Sequence, residues 1–418
     1  MIGRIPILVV AVCLAAPTLA ADWPRFRGPD GSGVSPEKGL PDTWSQSSNL
    51  AWKTDLPGAG ASSPVFIGER IFLTAWSGFA VPGQPRGNEE GLKLHLLCLD
   101  RKTGKVIWNK DVPAKLPAHQ LSRDGEGYAS STPVADEKRV YCFFGKSGVF
   151  AFDHSGKQLW TADVGSGTDG WASSSSPILF GDLVIVNASI ESESLVALDK
   201  TTGKEKWRAP GVRESYNTPL VVKTTDGKEE LVVATQPKIL AFDPATGAAL
   251  WNCNTDITWY MVPSLVADKG VVYCIGGRTG VLGLAVRTGG KGDVTRTHRL
   301  WTSKKGGNVS SPVYHDGHIY WMNDASGTAF CAKADTGEVV YEERIRGAGG
   351  VYASALLADG RIYYVGRDGR TFVVAAKPQF ELLATNEALD RTNHDATPVA
   401  VDGRLFIRSN RALYCLQK

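Results

Sequence analysis

From Asn49 to Lys418 the chain alternates short apolar runs with turn residues, and the alternation has period two. "GERIFLTA" (68–75), "EKRVYCFF" (137–144), "KGVVYCIG" (269–276), "DGHIYWMN" (316–323) and "DGRIYYVG" (359–366) each place apolar side chains on both faces of a short strand behind a tight turn. A second kind of unit follows each of these. "LCLDRKTGKVIW" (97–108) is an apolar strand, a turn and a strand ending in tryptophan, and it returns as "AFDHSGKQLW" (151–160), "ALDKTTGKEKW" (197–207) and "AFDPATGAALW" (241–251). In these turns the Asp side chain can accept from N–H groups two residues on, and Gly supplies the positive φ of a bulged hairpin.

Aligned on the first turn residue, the copies fall at Asp100, Asp153, Asp199, Asp243, Ala285, Lys333, Lys377 and Gln417, at intervals of 53, 46, 44, 42, 48, 44 and 40 residues. An independent marker recurs upstream of each: "SSPV" (62–65), "STPV" (131–134), "SSPI" (175–178), "NTPL" (217–220), "VPSL" (262–265), "SSPV" (310–313), "ASAL" (353–356) and "ATPV" (396–399). A period in the forties with four short strands per unit predicts an all-β fold, an eight-bladed β-propeller of four-stranded antiparallel blades. The last unit ends on "ALYCLQK", a third strand without a fourth, while "NLAWKTDLPG" (49–58) is a fourth strand without the first three. The N-terminal strand is therefore expected to complete the last blade and close the ring, removing two edges. Trp52 then joins the column Trp108, Trp160, Trp207, Trp251, Trp301 and Tyr341, from which the seventh unit, "FELLAT", has lost its aromatic. Each such ring buries on the order of 150–250 Å², roughly 4–6 kcal/mol gross, and on an outer strand its partner is the next blade.

Composition adds compartment and excludes some partners. "MIGRIPILVVAVCLAAPTLA" has Arg4 before an apolar run and a Thr18-Leu19-Ala20 cleavage site, so residues 1–20 read as a secretory signal, 21–48 as an extension packed on the ring and 49–418 as the propeller. The neighbours of Cys13 make a poor lipid-attachment box, and no later segment is apolar for long enough to span a bilayer. A soluble exported monomer, periplasmic or secreted, is expected. With 46 basic against 43 acidic side chains and no basic run interleaved with aromatics, nucleic acid is not an expected partner. Cys98, Cys331 and Cys415 share one repeat position and Cys142 and Cys274 another, so they are expected to be buried thiols too far apart to bridge.

The hairpin "ALDKTTGKEKW" resembles the tryptophan-docking repeat of the pyrroloquinoline-quinone-like propellers, which include quinoprotein alcohol dehydrogenases and BamB-like members. The leader "WPRFRGPDGSG" (23–33) is similar to that of secreted bacterial members of the group. The quinoprotein branch implies a calcium-bound quinone over the axis, a vicinal disulfide and an Asp base. No adjacent cysteine pair is present here to supply the disulfide. The BamB-like branch implies a lipoprotein without cofactor, and here the lipid-attachment box is lacking.

In a propeller, the loops before the first strand and between the second and third meet at one end of the axis. At that end stand Tyr128, Trp171, Tyr216, Asn217, Tyr260, Asn308, Tyr352, Asn393 and His394 before the markers, with Trp259 beside them, and Arg278, Asp324 and Arg367 in the second set of loops. The second set also contains Lys146, Glu191, Gln236, Asn323, Asp368, Asn410 and Arg411. Recurrent aromatics there read as a binding funnel for a protein, peptide or glycan. Glu191, Asp324 and Asp368 are the oxygens to weigh for calcium. The His394-Asp395 pair lacks a nucleophile spaced with it, and "GGRTG" and "GAGG" open no helix, so neither a catalytic base nor a phosphate loop is indicated. Two insertions, 77–95 and 111–127, lengthen loops of the first blade at the same end. The expectation is a non-catalytic binding propeller that needs no cofactor. A pyrroloquinoline-quinone- and calcium-dependent oxidoreductase is the alternative. If the signal reading holds, N-terminal sequencing of the exported protein will begin at Ala21. A mature chain that retains Met1 would overturn it.

Overall fold

In a computed structural model, which describes residues 22–119 and 127–418, the alternating pattern forms eight antiparallel sheets arranged in chain order. The signal-peptide reading lies outside the described residues. The first blade shows the plan: inner strand Val65–Ile67, then Arg70–Ser77, Lys93–Asp100 and outer strand Val106–Val112. The last blade is completed as expected, with Leu50–Asp55 pairing antiparallel with Ala412–Leu416. Two blades gain a fifth strand, each added in parallel. Gly292–Asp293 extends the fourth blade at Ala249–Asn254, and Val34–Ser35 extends the seventh at Leu356–Ala358.

The strand register corrects three alignments. Cys98, Ala151, Ala197, Ala241, Ala285, Cys331, Val373 and Cys415 lie opposite Trp108, Trp160, Trp207, Trp251, Trp301, Tyr341, Ala384 and Trp52. The turn position in the fifth and seventh blades is therefore two residues from Ala285 and Lys377, at Arg287 and Ala375. In the fifth blade the inner strand starts at Val266, so its marker is Pro263 to Val266. The first-blade insertion is shorter than the sequence indicated, because Ser77 and Lys93 to His95 are still strand.

The marker's second residue is a hydroxyl in every blade, and the reason is a ring of hydrogen bonds around the axis. The N–H of Ser63 donates to Thr132 Oγ1 (2.9 Å), that of Thr132 to Ser176 Oγ (3.0 Å), and that of Ser176 to Thr218 Oγ1 (3.0 Å). Thr218 donates to Ser264 (3.1 Å), Ser264 to Ser311 (3.0 Å), Ser311 to Ser354 (3.2 Å) and Ser354 to Thr397 (2.9 Å). The Ser63 hydroxyl closes the circle by donating to the Thr397 carbonyl at 2.9 Å. All eight residues are buried, so without its neighbour each of these N–H groups would lack a partner.

At the outer radius the indoles lie against the turn of the following blade. Trp52, Trp108 and Trp160 donate Nε1–H to the carbonyls of Lys102, His154 and Lys200, each at 3.1 Å, and Trp301 donates to Ala334 at 2.9 Å. Gly203 has φ +71°, and a methyl group placed on it would come within 2.7 Å of the Trp160 ring. Glycine there serves both the backbone and the close approach of the ring. The fourth blade departs from this pattern, because Trp251 turns inward to Glu230 Oε2 at 2.8 Å. The six cysteines of the described residues are free and buried.

The leader does more than pack on the ring. Trp23 bridges to Phe66, Pro24 O accepts from Ala135 N–H (2.9 Å), and Gly33 O accepts from Leu357 N–H (2.9 Å). Ser35 Oγ donates to Ala400 O at 2.8 Å. The Arg27 guanidinium is fully buried and donates to the carbonyls of Gly31, Ser32 and Pro312. The segment thus crosses the channel on the turn side of the hydroxyl ring, touching the inner strands of five blades.

Replacing Ser264 with Ala removes the acceptor of the Thr218 N–H while keeping shape. The expected loss is about 1–3 kcal/mol of unfolding free energy, measurable by denaturant titration. Deleting residues through Lys53 removes both the plug and the closing strand, and should abolish the cooperative thermal transition. Unchanged melting would show that closure does not depend on them.

Candidate functional site

Above the hydroxyl ring the axis opens into a cavity of about 200 Å³. Its wall has an order that follows from the repeat. The residue immediately before each marker, taken in the corrected register, faces it in all eight blades: Ala61, Ser130, Ser174, Tyr216, Val262, Val309, Tyr352 and Asp395. Below them the hydroxyls of Thr218, Ser264, Ser311, Ser354 and Thr397 reach the cavity, and Phe26 of the leader forms the floor. Trp76, Trp171, Tyr260, Arg278, Asn308 and Asp324 complete the upper wall.

The wall is lopsided. Blades one to three contribute small residues beside Trp76. The aromatics then cluster, with Tyr260 lying 5.4 Å from Tyr216, 6.3 Å from Trp171 and 5.1 Å from Trp259 between ring centroids. Trp171 follows a turn fixed by Asp169, whose Oδ1 accepts the Trp171 N–H at 2.8 Å and whose Oδ2 accepts the Tyr216 hydroxyl. Arg278 stacks on Trp259 at 4.6 Å. The charged groups on the other side are held by protein partners. Asp324 Oδ1 accepts the Asn308 N–H at 2.5 Å, and Arg367 Nε donates to Asp395 Oδ1 at 2.8 Å while its guanidinium lies 4.0 Å over Tyr352.

A family model described as outer membrane protein assembly factor BamB matches residues 92–289. No curated protein matches in sequence. Among solved structures, BamB from Moraxella catarrhalis is 14% identical with a TM-score of 0.60, covering 88% of this chain and 97% of its own. A europium-containing methanol dehydrogenase is 13% identical with a TM-score of 0.66, covering 95% and 98%. The quinohemoprotein alcohol dehydrogenase from Comamonas testosteroni is 13% identical with a TM-score of 0.62, covering 96% and 81%. The chain shares the propeller fold of these structures, and residues 92–289 match the BamB family model.

Of the residues expected at the funnel of this propeller, Trp171, Tyr216, Tyr260, Arg278, Asn308, Asp324 and Tyr352 line the cavity. Five others do not. Tyr128 is a buried wedge between the two insertions, packed on Trp76 and Phe79 and donating its hydroxyl to His119 O at 2.8 Å. Asn217 is buried and spends its amide on Ser215 Oγ, Ala234 O and Met261 O, bracing the fourth blade against the approach to the fifth. Arg367 stands behind Tyr352 and Asp395 rather than on the cavity. The carbonyl of Asn393 accepts from the Asn410 N–H at 2.8 Å. His394 is fully buried, burial holds its pKa below the ordinary value, and its Nδ1 meets the Thr392 carbonyl at 2.8 Å.

Phe26, Trp76, Asp395 and the hydroxyls were missed. A search of the position directly before each marker finds Asp395, and no repeat signal marks Phe26, which belongs to the leader. Glu191, Asp324 and Asp368 do not converge. Asp368 pairs with Arg370, and no group of three acidic, histidine or cysteine side chains suited to a metal occurs among the described residues.

Glu191 is instead a buried carboxyl on the loop that backs the funnel. It accepts the Ser173 hydroxyl, one residue from the lining Ser174, and its Oε2 has no partner. Burial raises its pKa from 4.5 to about 7, with Ser173 opposing and Asp169 adding to the rise. Between about pH 4.5 and 7 the folded protein therefore holds a proton that the unfolded chain has released, and stability falls as pH rises through that window. Glu191→Gln should remove this slope and leave the variant more stable than the parent at pH 8, by up to about 3 kcal/mol. Denaturant titrations of both proteins at pH 5 and pH 8 check it. Equal pH dependence in the two would contradict the assignment.

Proposed function

We propose that this propeller is an exported, non-catalytic binding module whose axial funnel receives part of a protein, peptide or glycan partner. One observation carries the reading: the cavity joins a contiguous aromatic wall to polar groups that are already positioned by protein partners. Such a site is pre-organised for recognition. Asp324 and Asp395 are tied to Asn308 and Arg367, and His394 is shut away from the cavity, so among the described residues no histidine base stands beside the lining hydroxyls. Export rests on the signal sequence read at residues 1–20. A monomer working without cofactor is part of the same reading.

The quinoprotein alternative draws on the likeness to the two dehydrogenases. The residues here fit a calcium-bound quinone poorly. Calcium takes six to eight oxygen ligands, whereas the cavity presents two carboxylates, one of them paired with the Arg367 guanidinium. The floor is a phenylalanine delivered by the leader.

A photo-crosslinking residue at Ser174, introduced into the exported protein in its native compartment, should yield a discrete adduct. Combining it with Tyr260→Ala should reduce that adduct several-fold at unchanged melting temperature. The same label at exposed Ile107 on the outer rim should give none of it. Equal labelling at both positions would argue against the funnel. Incubation with calcium and pyrroloquinoline quinone followed by desalting should leave no chromophore, and a retained quinone spectrum would favour the dehydrogenase reading.

A further inference from the structure

We infer that the funnel is a dead-end receptor for the terminal ring of an uncharged saccharide chain, an inference that rests on the binding reading above. The first argument is closure from below. Phe26 forms the floor, and its neighbours Pro24 and Arg27 are bonded to the inner strands at Ala135 and Pro312. A ligand can enter from one side only and cannot thread through, so the group that reaches the floor is a chain end. At about 200 Å³ the cavity has room for a ring-sized group and excludes a folded segment.

The second argument is the hydrogen-bonding character of the lower wall. Thr218, Ser264, Ser311, Ser354 and Thr397 each accept one backbone N–H from the preceding blade. Among the described residues none of these five hydroxyls donates to another protein group. Each keeps one O–H and a spare lone pair beside the cavity. On the upper wall Asp324 and Asp395 are acceptors. An occupant must therefore accept below and donate above, around a single small ring, and sugar hydroxyls do both.

The third argument is charge and shape. Trp171, Tyr216 and Tyr260 line the cavity and supply aromatic surface against which the C–H face of a pyranose can pack. A peptide carboxyl terminus would bring its charge toward Asp324 and Asp395. Arg278 at the rim stacks on Trp259 and keeps its charge. An uncharged ring needs no partner for either sign of charge.

The test uses the mature full-length protein and a panel of uncharged linear oligosaccharides built from glucose, mannose, galactose, xylose and N-acetylglucosamine, with β-cyclodextrin as an endless glucan. Tryptophan fluorescence and saturation-transfer NMR are read in parallel. The expected result is saturable binding of at least one linear series, with transfer strongest to one terminal ring and no binding of the cyclic glucan. Tyr260→Ala should weaken that binding about tenfold, and Trp171→Ala serves if the first variant melts early. Binding of the cyclic glucan as tight as its linear counterpart, or equal transfer to interior rings, overturns the inference. If no saccharide binds while Ser174 crosslinks a peptide or protein, the saccharide inference falls and the binding reading stands. If neither binding nor crosslinking occurs, both fall.

Discussion

The circle of backbone N–H to hydroxyl bonds at the axis is the constraint on which the rest depends. Eight sheets can close only if each inner strand begins at the same height and tilt as its neighbour, and this circle sets that height one blade at a time. Because the donor is a backbone group and the acceptor a short side chain, the bond tolerates little displacement. Its members lie in the buried throat, where a broken link leaves a donor without water. Ser63 completes the ring in the opposite sense, by donating its own hydroxyl to the Thr397 carbonyl. That junction sits between the first and last blades, where Leu50–Asp55 also makes its closing pairing. The outer belt of indoles resting on glycine turns works at the other radius, and the two belts together leave each blade little freedom to rotate.

Eight blades held at this radius leave a throat that their own short serine and threonine side chains do not fill. The leader fills it with Trp23, Phe26 and polar backbone, and it solves the resulting problem of buried carbonyls with arginine. Arg25 and Arg27 donate to leader carbonyls, and Arg408 of the last blade donates to Ser62 and Thr74. Burial lowers their pKa values to about 10, 9 and 9, which leaves all three charged at neutral pH. A guanidinium suits this role better than an ammonium because it presents several donors in a fixed plane. The funnel is thus a product of two separate stretches of chain, the repeats for its wall and the leader for its floor.

This division explains what could be read from the sequence. The blades, their number and the closing strand were legible because each rests on a local pattern copied many times, so that single departures such as Ala285 or "FELLAT" could not hide it. Register was less legible where a copy had lost its turn residue, as at Lys377, since apolar alternation alone does not count residues around a bulge. For the candidate site, proximity to the markers picked out Trp171, Tyr216, Tyr260 and Tyr352, which line the axial cavity. It could not tell a lining side chain from the one behind it. Asn217 and His394 are polar residues one position away from lining positions, and both are buried in the wall. Phe26 was invisible for a different reason. Its place depends on a path across the throat that no periodicity records.

The residues just before the markers have a property that bears on how such a site acquires specificity. The hydroxyl position below them is occupied by Ser or Thr in all eight blades, because each carries a closing bond. The position above ranges over Ala, Ser, Tyr, Val and Asp. A side chain there projects into the cavity while its blade is already secured by its neighbour, so its identity can change without opening the ring. Tyr216 is the partial exception, since its hydroxyl is tied to Asp169 and so couples the aromatic wall to the loop whose Ser173 donates to Glu191. The chemistry of the funnel is therefore separable from the stability of the fold over most of its circumference. It is joined to the buried carboxyl of Glu191 at one point, where the third and fourth blades meet.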